Sequence, residues 1–267
     1  MKKALFYTLV FLSIQFVTGI VVAAVFGLIY KEAMGQYATT IQIVTMGVFA
    51  VVTAALFLCL KWSEVSKSYM LSRPWLVLFW SSLAAVGSMV PSLLLQELMP
   101  VWPDAIEEFV REAEVQTIQM MGSYGGYVVV CLLAPVVEEL VFRGAILRAL
   151  LSWKPQQRWC MIALSALIFA FVHLNPDQMA HAFLAGLLLG WMYSRTRSVV
   201  PGIAFHFVNN SISYVLVRLY PAPDIRLIDI LGGSSRSLWL SLFFSLLILL
   251  PAIYQLHVWM RRADEKS

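Results

Sequence analysis

The sequence predicts an all-α fold: a polytopic membrane helical bundle of about eight transmembrane helices with both termini cytoplasmic. Three observations carry that prediction. Of 267 residues, 60% are hydrophobic and only 13% charged, far outside the composition of a soluble domain. The apolar residues gather into runs long enough to cross a hydrocarbon core of about 30 Å. Lys and Arg are distributed unequally between the ends of those runs.

Taken in order, the first run, near residues 4–30, follows Lys2 and Lys3 and holds a cleavage-like Val22-Ala-Ala24. At about 27 residues it is too long for a signal h-region and is expected to stay as an anchor. Runs near 39–60 and 75–98 read as further spans. Between Pro103 and Met121 the pattern changes: Asp104, Glu107, Glu108, Glu112 and Glu114 alternate with Ile106, Phe109, Val110 and Ala113 at helical spacing. An amphipathic helix at the outer interface is expected there. The apolar runs resume near 125–151, 159–174, 178–194, 199–218 and 236–259, with a Pro-, Gly- and Ser-rich outer loop from Tyr220 to Ser237. The runs near 159–174 and 178–194 barely span the hydrocarbon core, so the turn from Asn175 to Gln178 is expected below the surface, in a protein-lined cavity. Gly186 and Gly190, four apart, suit close helix packing.

With cytoplasmic termini, one side holds Lys2, Lys3, Lys61, Lys67, Arg73, Arg148, Lys154, Arg158, Arg195, Arg197, Arg261, Arg262 and Lys266. The other holds Lys31, Arg111, Arg218, Arg226 and Arg236. The net charge of +4 therefore describes topology, and no nucleic-acid partner is implied. Cys59, Cys131 and Cys160 lie in apolar runs without disulfide or metal spacing. No repeat or low-complexity segment divides the chain. Residues 1–267 read as one membrane domain, with N-terminal helices and the amphipathic segment in 1–120, a core in 121–218, and an outer loop and last helix in 219–267.

The functional signal is the run Pro135-Val-Val-Glu138-Glu139-Leu-Val-Phe-Arg143. Charges at bilayer depth cost several kcal/mol, on the order of 3 each on insertion scales, so three in one apolar helix call for a function. Glu139 and Arg143, four apart, share a helix face and can pair, whereas Glu138 is rotated by about 100° and left to face a cavity. Phe169 and His173 share a face on one later helix, His206 and Asn210 on another. From the basic residues at the cytoplasmic ends, Glu138 lies ~15 Å deep, His173 ~22 Å and His206 ~13 Å, which allows one site in the cytoplasmic half to midplane.

A buried carboxylate beside an imidazole can hold and deprotonate a water, and His206 and Asn210 can donate to the oxyanion formed on an attacked carbonyl. These are parts of an amide hydrolase. The chain has no Gly-x-Ser-x-Gly, Gly-x-Gly-Asp or His-Glu-x-x-His, the usual signatures of serine, aspartyl and zinc-helix hydrolysis. Asn209 and His181 are read as structural, and His257, near the end of the last helix, as interfacial. A buried polar set also suits ion transport, but it is confined to one tract with no inverted repeat.

Three motifs in order, Glu138-Glu139-Leu-Val-Phe-Arg143, Phe169-Ala-Phe-Val-His173 and His206-Phe-Val-Asn-Asn210, resemble the CAAX prenyl protease type II and bacteriocin-processing family (CPBP, also called ABI). The resemblance covers about residues 120–218, including a Gly-rich tract from Gly186 to Arg197. It implies an intramembrane endopeptidase in which Glu138 is the general base and His173 shares the water. By the same resemblance His206 and Asn210 form the oxyanion site, while Glu139 and Arg143 hold the helix and Phe169 belongs to the motif. It implies a metal-independent glutamate mechanism with no cofactor. The residues also leave open a zinc site of Glu138, His173 and His206. The expected partners are the bilayer and a membrane-associated peptide that is CAAX-like, lipidated or leader-bearing, in the plasma membrane of a bacterium or the endoplasmic reticulum of a eukaryote. A non-catalytic immunity or scaffold protein on the same fold is the alternative.

Overall fold

The computed structural model describes residues 1–98, 103–223 and 225–264, and all its regular structure is helical. Lys266 lies outside the described residues, as do the side chains of Lys67, Arg261 and Arg262. The helices are α1 (Lys2–Tyr30), α2 (Ala38–Cys59), the short α3 (Lys67–Leu71), α4 (Trp75–Glu97) and α5 (Asp104–Met121). A continuous α6 (Tyr124–Trp153) follows, then α7 (Arg158–Val172), α8 (Pro176–Thr196), α9 (Val200–Leu219), the short α10 (Leu227–Ile230) and α11 (Ser235–Asp264).

Among these, α1, α2, α4, α6, α9 and α11 are long and apolar enough to cross a membrane. The sequence count of eight also included α7 and α8, which fall short for different reasons. With 15 residues α7 is about 22 Å long. The 21 residues of α8 carry Gln178, His181 and Arg195, which dilute its apolar character. The two lie tightly side by side: a Cβ on Gly186 would come within 2.9 Å of the Ala166 Cβ, and one on Gly190 within 2.8 Å of Ile162 Cγ2. Close approach is the role these glycines fill.

The outer helices present apolar side chains outward, as lipid contact requires. Along α1 only Ala4, Phe11, Thr18 and Val22 are buried, one stripe at helical spacing, while Phe16 and Leu28 on other faces are exposed. The opposite flank is α4 packed on α11, where the Gly87 carbonyl accepts from Ser245 Oγ at 2.9 Å. α6 runs through the middle, and all nine residues from Glu139 to Leu147 are buried. Aromatic edges link the flank to it: Phe11 meets Phe142 at 5.3 Å and Phe142 meets Phe169 at 5.0 Å between centroids.

Successive long helices run in opposite senses, as consecutive membrane crossings must, which gives the molecule two distinct ends. At one, Arg148 donates to the carbonyls of Lys61 and Trp62. At the other, the corner between α5 and α6 is held to α9, since the Gly122 carbonyl accepts from Arg218 and the Ser123 carbonyl from the Tyr214 hydroxyl at 3.3 Å. The expected amphipathic segment is α5, lying at this second end with Val110, Met120 and Met121 buried and Asp104, Glu107, Glu108 and Glu112 exposed.

Candidate active site

α6 widens twice. Val128–Leu133 and Glu139–Leu147 are wide π-type turns flanking the α-helical turn Ala134–Glu138. Such wide turns are concentrated at functional sites. Pro135 supplies one local cause. In the first wide turn Ala134 N–H bonds the Val129 carbonyl, five residues back. The next bond of that ladder would come from residue 135 to Val130, and proline has no N–H to give. The freed Val130 carbonyl accepts instead from Asn210 Nδ2 of α9 at 2.9 Å, as a buried carbonyl requires a donor.

Glu138 and Glu139 stand where the second wide stretch begins. Glu139 Oε1 accepts from Arg143 Nη1 at 2.8 Å, with both side chains essentially unexposed. The Arg143 guanidinium also lies 4.3 Å over the Phe169 ring. Gly202 in the first turn of α9 lets that helix press on the pair, because a Cβ there would collide with Glu139 Oε2. The positive end of α9 is thereby set against a carboxylate.

His173 ends α7. The last carbonyls of a helix lack intrahelical donors, and His173 Nδ1 lies 2.8 Å from the Phe169 carbonyl one turn back. A carbonyl only accepts, so Nδ1 carries the hydrogen and Nε2 of the neutral ring presents a lone pair. Leu174 then breaks the helix with φ of +54°, a left-handed conformation that costs a leucine roughly 1–2 kcal/mol. The Phe-x-x-x-His spacing thus fixes one tautomer and one orientation of the imidazole.

His206 is brought between the two carboxylates. Its Nε2 is 3.7 Å from Glu138 Oε2 and its Nδ1 is 3.6 Å from Glu139 Oε1. The Phe169 ring meets His173 edge-on at 4.6 Å and His206 at 6.1 Å, so one aromatic residue braces both imidazoles and Arg143. The seven residues singled out in the sequence therefore converge from α6, α7 and α9. Sequence reasoning missed two things. Asn209, read as structural, donates to Asn210 Oδ1 at 3.3 Å and so turns the Asn210 amide nitrogen toward Val130; Pro135 is the signal that a free carbonyl waited there. His181, also read as structural, lines the same cavity as His173 and His206.

Two cavities meet at this set. The smaller, about 240 Å³, is bounded by Phe11, Met46, Phe49, Val137 and Phe142 with Gln15 and Thr45. The larger, about 550 Å³, is bounded by His181, His206, Asn209 and Asn210 and extends to Gln96, Glu114 and Tyr220. Met46, Ala134, Glu138 and His173 line both.

Residues 121–212 match the family model described as type II CAAX prenyl endopeptidase Rce1-like. All three motifs lie inside that segment, about a third of the chain. The match supports a membrane protease of the CPBP type, with these motifs in its core. No curated protein and no solved structure matches the chain. With six apolar helices beside that match, the chain is an integral, multi-pass membrane protein. Among the described residues no group of three His, Cys, Asp or Glu side chains has metal-holding spacing. The zinc set Glu138, His173 and His206 does not form such a group.

Proposed function

We propose that the chain is an intramembrane endopeptidase that hydrolyses a peptide bond of a membrane-associated substrate with a water activated by Glu138. The observation that carries the reading is the position of Glu138 and His173 on the wall common to both cavities, with His206 beside Glu138. A peptide threaded between the cavities would pass its scissile bond across these groups.

In this reading the water donates one hydrogen to Glu138 and the other to the lone pair of His173 Nε2. As the Glu138 carboxylate takes the proton, the water oxygen bonds to the scissile carbonyl carbon and the carbonyl becomes an oxyanion. The second N–H of Asn210 and an N–H of His206 donate to that oxygen, a contribution worth about 10²–10³ in rate for each donor. Collapse breaks the C–N bond, and Glu138 returns its proton to the leaving amine. Glu139, Arg143 and Phe169 hold the geometry without touching the reacting atoms.

The test is cleavage of a membrane-peptide library in detergent by the wild type and by Glu138→Gln, each with and without a strong chelator. Wild-type cleavage that survives chelation and falls at least ~10²-fold in the variant supports the glutamate reading. Chelator-sensitive cleavage moves the chemistry to a metal. Specific peptide binding without cleavage by folded wild type establishes the scaffold or immunity alternative.

A further inference from the structure

The larger cavity has a direction. Beyond the catalytic set it is lined by Gln42 at the start of α2, Gln96 at the end of α4, Thr117 on α5 and Tyr220 past α9. With alternating helices, all four belong to the end opposite both termini. Glu138, the fifteenth of the thirty residues of α6, lies midway along it. The loops at the cavity's end hold five of the basic residues, against thirteen on the side of the termini, so that end is the non-cytoplasmic one. It is also acidic. Ten Asp or Glu belong to it by sequence, and between Pro103 and Met121 five acids accompany a single base, Arg111. Asp104, Glu107, Glu108 and Glu112 are exposed, while Glu114 lines the cavity. Further in, Asn209 Oδ1 is buried without a hydrogen-bond partner on a residue that lines the cavity and is nine-tenths buried.

We propose that substrate reaches the site from the non-cytoplasmic face, past α5, and that it is a cationic peptide, one with Lys or Arg near the segment that enters. A cleft of one sign with low-dielectric walls concentrates the opposite charge, raising association by about 10–10³-fold at low salt. Apolar walls below the mouth then receive the peptide's hydrophobic part. The proposal rests on the reading of Glu138, His173 and His206 as the reacting end of the cavity. It separates this chain from an enzyme that takes substrate from the cytoplasm.

The entry route can be tested without catalysis. In a background lacking Cys59, Cys131 and Cys160, Thr117→Cys at the mouth and Asn209→Cys at depth are treated in sealed spheroplasts with membrane-impermeant thiosulfonates, one cationic and one anionic. A C-terminal tag protected from external protease fixes the orientation. Both cysteines are expected to react from outside, the cationic reagent about tenfold faster at low salt. The ratio is expected to approach one in 0.5 M salt, where the Debye length is about 4 Å against about 30 Å in 0.01 M buffer, and in Glu107→Gln/Glu108→Gln/Glu112→Gln. Labelling only from the terminal side, or equal rates for the two reagents at low salt, would overturn the proposal. Thr117→Cys decides the side even where Asn209→Cys does not fold. Absence of all peptide cleavage in detergent would sink the protease reading while leaving the thiol rates to judge the route.

Discussion

Replacing Arg143 with leucine strands the Glu139 carboxylate in a fully buried site. The two side chains are 1% and 0% exposed and 2.8 Å apart, and loss of one partner of such a pair costs about 3–5 kcal/mol. Loss of the cation–π contact with Phe169, 4.3 Å away, acts in the same direction and is not additive with it. At about 2–4 °C per kcal/mol for a chain of this size, the melting point in detergent should fall by roughly 6–20 °C. Buried Cys131 supplies the assay: with Cys59 and Cys160 changed to Ser, its reaction with a thiol dye on heating reports unfolding. Glu139→Leu/Arg143→Leu should regain most of the loss, because an apolar pair of similar volume removes both desolvation penalties. Activity should nonetheless stay about 10²-fold down in the double variant, since His206 Nδ1 faces Glu139 at 3.6 Å and its placement depends on that carboxylate. A single variant melting within 2 °C of wild type, a margin below one such kcal/mol, would refute the burial argument. A double variant less stable than the single would refute the charge argument.

Gly202→Ala pushes α9 away from Glu139 and carries His206 with it, so kcat should drop by about 10² while stability falls only by the roughly 1–3 kcal/mol of overpacking; steady-state kinetics beside thermal melts checks both. Pro135→Ala offers an N–H to the Val130 carbonyl in competition with Asn210. It should lower turnover without lowering stability, and the Asn210 amide protons should exchange faster by NMR. Leu174→Gly relieves a left-handed residue at φ of +54° on an exposed side chain and should raise stability by up to roughly 1 kcal/mol, read from the same melts.

Apolar runs and the four-residue spacings were legible because both depend only on neighbours along one helix. Glu139 with Arg143, and His173 over its own Phe169 carbonyl, are both one-turn contacts. The count of spans was not legible to the same degree. α7 and α8 are apolar enough to resemble spans, yet one is too short and the other carries polar residues toward the cavity. Position between helices was less legible still. Nothing in the spacing of His206 says that it stands between two carboxylates 67 and 68 residues earlier in the chain. The part played by Asn209 likewise depends on a carbonyl of α6 that only the folded chain brings within reach of α9.

Each proposed reacting group stands at a backbone irregularity, in its own helix for Glu138 and His173 and in the facing helix for Asn210. Glu138 lies where α6 widens, His173 where α7 breaks at Leu174, and Asn210 against a carbonyl that Pro135 left without a partner. A regular helix would satisfy its own carbonyls and leave side chains to choose among rotamers. The irregular ones trade a few intrahelical bonds for cross-helix bonds that fix direction. Such fixed dipoles are what a water-using hydrolase needs, because donors oriented before reaction cost no reorganisation when the oxyanion forms. Phe169 completes the device from the apolar side: its ring contacts Arg143, His173 and His206 at once, so a shift of α7 against α6 would disturb the structural ion pair and both imidazoles together.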